Sequence, residues 1–163
     1  MKNARWTAVV AVFVTTLLVA SVALATVYIY EGKGVGSTRL GWNDHTAAAR
    51  LSGYHKVVRD SRYSYTVYRW YVGRKMSNGK YPVELLSKAD HRVFQFWVNS
   101  SSYPTYGQYV KVGSTESYLR RKYSTERRYP GSVYTRYRIG SRPFTDFYVR
   151  NSTDRVAYIV VGR

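Results

Sequence analysis

The sequence predicts an α+β fold of two tandem units, each one helix packed on an antiparallel β-meander, preceded by an N-terminal hydrophobic helix. Three observations carry this expectation. The chain opens on a charge-free apolar run; later Tyr-, Val- and Ile-rich stretches are separated by Gly, Asn and Pro turn signals. Val35-Gly36-Ser37-Thr38 returns as Val112-Gly113-Ser114-Thr115, each copy followed by a helical stretch and then by strand-like segments. In 163 residues two such units are small enough to share one core.

Lys2 and Arg5 precede the apolar run, which extends from Thr7 to Tyr30 without an acidic or basic residue. It reaches the roughly 20 residues that cross a bilayer, and Trp6, Tyr28 and Tyr30 sit where interfacial aromatics belong. Residues 1–30 are therefore expected to be a signal anchor, with the membrane as a partner through this transmembrane helix. The alternative is a secretory signal peptide cleaved after Ala25, at Ala23-Leu24-Ala25, which would leave a secreted chain. Both place the remainder outside the cytoplasm.

The first helix-plus-meander unit is expected over residues 31–102. Asn43 or Asp44 caps a helix through Leu51, and Gly53 stops it. Strands follow near 62–73 and 80–86, joined through Ser77-Asn78-Gly79, because Asn-Gly between two β-rich runs marks a hairpin. A third strand at 92–99 would place Phe94, Phe96 and Val98 on one face. Residues 100–104 read as a linker. The second unit, over residues 103–163, has Ser114 or Thr115 capping a helix from Glu116 to Tyr123, then strands near 132–139, 144–150 and 155–161.

With Gly36-Ser37-Thr38 and Gly113-Ser114-Thr115 each opening a helix, residues 33–163 resemble the tandem helix-plus-meander architecture of the β-lactamase inhibitory protein group and of BamE-like envelope proteins. The resemblance implies a non-catalytic binding role. Two departures stand against carrying over lactamase inhibition: the chain has no cysteine, and Arg39-Leu40-Gly41-Trp42 is inserted ahead of the first helix.

Composition indicates what such a protein would bind. Lys and Arg number 26 against 9 acids, a formal charge of +17, and there are 18 tyrosines. Beyond residue 30, 24 basic residues face 9 acidic ones, 12 to 5 over residues 31–109 and 12 to 4 over 110–163, so the charge is spread and is no tail. Arg120, Arg121, Lys122, Arg127 and Arg128 form the densest cluster, a candidate polyanion-binding patch whose plainer role is to keep the domain soluble. Tyr63, Tyr65, Trp70 and Tyr71 are a candidate aromatic surface for stacking on sugar rings or for a protein partner, against ordinary cross-strand pairing.

Absence of cysteine excludes disulfides, thiolate metal sites and thiol nucleophiles. His45, His55 and His91 show no metal-ligand spacing, and no nucleophile elbow, dinucleotide or phosphate loop is present. No catalytic, cofactor or metal residues are therefore expected; a hydrolase using His45 or His91 is the minor alternative. The expected function is an exported, non-catalytic cell-envelope protein that binds an anionic or glycan component through a basic, Tyr-rich surface. A secreted or surface-anchored protein antagonist is the rival, and nucleic acid is not the expected partner.

Overall fold

The computed structural model describes residues 26–51, 54–59, 65–124 and 127–163. Its elements run β1 (Ile29–Tyr30), β2 (Gly34–Val35), α1 (Asp44–Arg50), β3 (Tyr54–Arg59), β4 (Val67–Val72), β5 (Val83–Lys88), β6 (Val93–Val98), α2 (Glu116–Lys122), β7 (Arg127–Tyr129), β8 (Tyr134–Ile139), β9 (Phe144–Arg150) and β10 (Arg155–Gly162). Eight strands make one antiparallel sheet in the order β3-β4-β5-β6-β10-β9-β8-β7, and β1 pairs with β2 beside it.

This corrects the expected α+β class. The chain is mainly β, with two seven-residue helices among the described residues, and it is not built of tandem helix-on-meander units. The cause lies in β6 and β10. Phe96 and Val98 bury one face of β6 while Phe94 buries the other; in β10, Ile159 and Val161 are buried on one face and Val160 on the other. Strands apolar on both sides are unsuited to an edge. They pair with each other, Val98 opposite Ile159 and Phe96 opposite Val161, and form the middle of a single sheet. Helices of two turns are too short to cover it.

The supposed internal repeat fails in detail as well. Thr115 caps α2, its side chain accepting from the Tyr118 amide at 3.2 Å. Thr38 caps nothing: its hydroxyl donates to the Val35 carbonyl, and α1 is capped five residues later by Asn43, which accepts from the His45 and Thr46 amides. The two Gly-Ser-Thr stretches therefore do different work.

The apolar N-terminal helix cannot run to Tyr30, because Ile29–Tyr30 is strand β1 and Ile29 is fully buried in the core. Tyr28 and Tyr30 pack against Tyr106, where the sequence suggested bilayer interface residues. Among the described residues no helix is long and apolar enough to cross a membrane. Residues 1–25, which carry most of the expected anchor and the Ala25 cleavage position, lie outside the described residues, as does Gly53.

One sheet face holds the main core: Trp70 and Val72, Val83 and Leu85, Phe96 and Val98, Ile159 and Val161, Phe147 and Val149, with Tyr137. Ala47 and Ala48 of α1 and Leu119 of α2 pack onto it. Burying a side chain the size of Leu119 contributes about 1.5–3 kcal/mol. Phe94 is not on this face. A bulge where Leu86 pairs with Gln95 but Ser87 pairs with Val93 turns it to the opposite side, beside Val67 and Leu86.

The Ser77-Asn78-Gly79 turn forms, with Gly79 at φ +80° and the Asn78 side chain accepting from the Lys80 amide. Residues 100–104 are no free linker, since the Pro104 carbonyl accepts from Ile29 and Tyr103 packs on the core.

Candidate functional site

Because both helices lie on the main-core face, the opposite face of the sheet is open. Alternation along the strands fills it with charged and aromatic side chains. On its β4–β5–β6–β10 half a cleft of about 840 Å³ is lined by Arg59, Arg69, Tyr71, Lys75, Lys80, Tyr81, Glu84, Trp97, Asn99, Tyr134 and Tyr158, among others.

The cleft floor is an ion pair. The Arg69 guanidinium donates to Glu84, both well buried, and the other Glu84 oxygen accepts from Asn99 Nδ2 at 3.1 Å. Arg69 also lies 5.4 Å from the Trp97 ring centre. Its charge is thus committed to the floor, whereas Arg59, Lys75 and Lys80 at the rim are exposed.

The aromatic wall crosses the seam between β6 and β10. Trp97 and Tyr158 stack at 5.5 Å with their planes 2° apart, and Tyr148 stacks on Tyr158 at 4.4 Å. Tyr134 meets Tyr158 edge-on at 5.5 Å, and Tyr71 tilts against Tyr81 at 4.7 Å. Burial, then the neighbouring Tyr148 and Tyr134 hydroxyls, pushes the Tyr158 phenol well above its usual range. It remains a neutral hydrogen-bond donor at physiological pH. Lys80 sits 5.6 Å from its ring centre and Arg150 5.5 Å from that of Tyr134. Half-buried rings edged by exposed cations can hold flat, weakly polar ring faces together with anionic groups.

Most residues singled out from the sequence lie outside this cleft. Arg120, Arg121 and Lys122 occupy the last turn of α2 and are exposed; Arg127 and Arg128 are on the edge strand β7. Their surroundings differ. Arg121 and Lys122 lie over Tyr118, Arg120 lines a hollow with Glu116 and Asp154, and Arg128 Nε donates to the Tyr137 hydroxyl, which donates in turn to Glu116.

The aromatic candidates also separate. Trp70 is core, 5% exposed, which removes it from the expected surface. Strand alternation sends Tyr71 to the opposite face, into the cleft. Tyr65 is exposed near Lys88, away from Tyr71, and Tyr63 lies outside the described residues. Trp97, Tyr134 and Tyr158, which the sequence analysis did not single out, are brought together by the sheet order β6-β10-β9-β8.

A second cluster surrounds Asp44. This fully buried carboxylate accepts from Trp70 Nε1 and Ser87 Oγ, is 3.0 Å from His91 Nδ1, and accepts from the His45 amide. The His45 ring meets Trp70 edge-on at 4.5 Å. Ser87 and His91 both bond the carboxylate, so His91 is not placed as the base for the Ser87 hydroxyl in the manner of a hydrolytic triad.

No known protein family matches the chain, and no curated protein matches it in sequence. Two solved structures share the fold. The uncharacterized protein yfeY from Escherichia coli superposes with a TM-score of 0.59 at 13% identity, over 83% of this chain and 99% of that one. An extracellular protein containing an SCP domain, from Bacillus anthracis, gives 0.54 at 10% identity, over 76% of this chain and 43% of that one. At these identities the likeness is one of fold alone.

Proposed function

We propose that the chain is an exported, non-catalytic binding protein of the cell envelope, and that its ligand is an anionic glycan polymer seated in the open-face cleft. The observation that carries this reading is the Trp97–Tyr158–Tyr148 stack edged by Lys75, Lys80 and Arg150. Aromatic faces take sugar rings, and rim cations take the acidic substituents.

Export is supported by Lys2, Arg5 and the apolar run, and by the likeness to a protein described as extracellular. Cleavage after Ala25 is the form we favour, since Ile29 belongs to the sheet core and not to an apolar helix. The β-lactamase-inhibitor-like alternative, a protein antagonist, draws on a separate observation: Tyr106 and Tyr109 are more than half exposed beside Tyr28.

Co-sedimentation with purified cell walls across a salt series tests the reading. Binding should fall steeply between about 50 and 200 mM salt, as screening shortens the reach of the rim charges. W97A and the double variant K75Q/K80Q should each weaken it, while R121Q/K122Q should not. Loss in R121Q/K122Q alone would return the site to α2. No sedimentation at low salt would refute envelope-polymer binding and favour a protein partner.

A further inference from the structure

The geometry points to a transition-metal site, specific for a borderline divalent ion such as Zn²⁺ or Cu²⁺, formed by Asp44, His45 and His91. The three donors come from two places far apart in sequence: the first two residues of α1, and the turn between β5 and β6. Their ligand atoms all lie within 4.8 Å of one another. His91 Nδ1 is 3.0 Å from one Asp44 oxygen, and His45 Nε2 is 3.9 Å from the other. Ligands on a tetrahedral zinc, with bonds near 2.0–2.2 Å, stand about 3.3 Å apart. The imidazoles are 69% and 44% exposed while the carboxylate is fully buried. Rotation of the more exposed His45 ring toward the fixed carboxylate would therefore close the triangle.

Two further features favour a ligand role. Trp70 Nε1 and Ser87 Oγ donate to Asp44 and fix its orientation, as the outer hydrogen bonds of a metal-binding carboxylate do. His91 lies at φ +57°, in the left-handed region that histidine enters more readily than most side chains, and its ring is held flat against Tyr68 at 5.1 Å, directed at Asp44.

The choice of metal follows from the donor set and the surrounding charge. One carboxylate in a chain of net charge +17 attracts hard cations such as Mg²⁺ or Ca²⁺ poorly, and these want several oxygens. Two neutral imidazoles bind Zn²⁺ or Cu²⁺ through their lone pairs, with His91 carrying its proton on Nε2. Three protein ligands would leave a fourth position open, and both histidines border a hollow of about 470 Å³ walled by Ala49, Val57, Tyr68 and Trp70.

The test is titration of the full chain, without an affinity tag and in mild detergent, with Zn²⁺ by calorimetry and with Cu²⁺ by tryptophan emission. One Zn²⁺ per chain should bind. H45Q and H91Q should each weaken binding by about tenfold or more. Cu²⁺ held beside Trp70 should quench part of the emission in the parent chain and not in H45Q/H91Q. Electron paramagnetic resonance of the Cu²⁺ form needs no variant, and it should show two nitrogen ligands. No saturable binding of either ion, an affinity unchanged in H45Q or in H91Q, or fewer than two nitrogens on Cu²⁺ would each overturn the assignment.

Discussion

Replacing Glu84 by Gln removes one charge from the pair at the floor of the cleft and leaves the other in place. Arg69 is 4% exposed and Glu84 13%, so the remaining guanidinium has little access to water. Breaking a buried pair in this way costs about 3–5 kcal/mol, a large share of the roughly 5–15 kcal/mol that holds a domain folded. For a chain of this length each kcal/mol moves Tm by about 2–4 °C, so E84Q should melt about 6–20 °C below the parent. Removing both charges together has a different consequence. R69M/E84L leaves no stranded ion, and Asn99 Nδ2 keeps the Tyr81 carbonyl as an acceptor. The double variant should recover to within about 2 kcal/mol of the parent. Urea denaturation followed by tryptophan emission measures all three. A cost below about 1 kcal/mol for E84Q is the behaviour of a solvated surface pair, and would refute the argument that the cleft floor is dry.

Three other perturbations have defined outcomes. T115A removes the acceptor for the Tyr118 amide at the start of α2 and should cost about 1 kcal/mol by thermal melting. L119A removes the one fully buried side chain of α2 and should cost about 2–5 kcal/mol; a smaller loss would mean that α2 contributes little to the core. Burial raises the phenols of Tyr123, Tyr137 and Tyr158 above their ordinary value near 10, with the carboxylates of Glu31 and Glu116 adding to the effect on the first two. Above pH 10 the unfolded chain therefore loses these protons before the folded one does. Stability conferred by the protonated phenols is complete below pH 10 and declines as pH rises toward the folded-state values. Urea midpoints at pH 8 and pH 11 should show this fall, and Y158F, which cannot ionise there, should flatten it; an equal fall in Y158F would remove Tyr158 from the account.

Local chemistry was legible in the sequence where one or two residues decide the outcome. Asn78-Gly79 forms its turn because glycine tolerates the left-handed conformation there, and Thr115 caps α2 as its position before Glu116 suggests. At the first helix the two capping candidates divided the work: Asn43 caps, while Asp44 turns inward to Trp70, Ser87 and His91. Nothing in the adjacent pair Asn43-Asp44 announces that division, since Ser87 and His91 arrive from β5 and from the turn that follows it. Trp70 illustrates a second limit. Alternation along β4 requires Trp70 and Tyr71 to face opposite ways but does not say which side carries the helices. Strand β3 was missed for a related reason. As an edge strand it is defined by its pairing with β4, and Lys56-Val57-Val58-Arg59 has no clear alternation of its own.

The pairing of β6 with β10 explains both the corrected fold and the location of the cleft. Trp97 stands opposite Val160 across that seam, two residues from Tyr158 and on the same face, which is why the two rings can stack. In separate meanders Trp97 would lie on one edge and Tyr158 on another, each facing water without the other. Joining the sheets supplies the Trp97–Tyr158–Tyr148 wall, and at the same time it buries Phe96, Val98, Ile159 and Val161 behind it. The residues that stabilise the seam and those that line the cleft are thus alternate positions of the same two strands. Substitutions that loosen the seam from the core side, such as Ile159→Ala, should therefore weaken ligand binding without touching a cleft residue. Conservative changes at the rim lysines should alter binding and leave stability within about 0.5 kcal/mol, as surface substitutions do. Wall binding and urea denaturation measured on the same variants distinguish these two patterns, and I159A that lost stability while binding at full strength would show the wall to be independent of the seam.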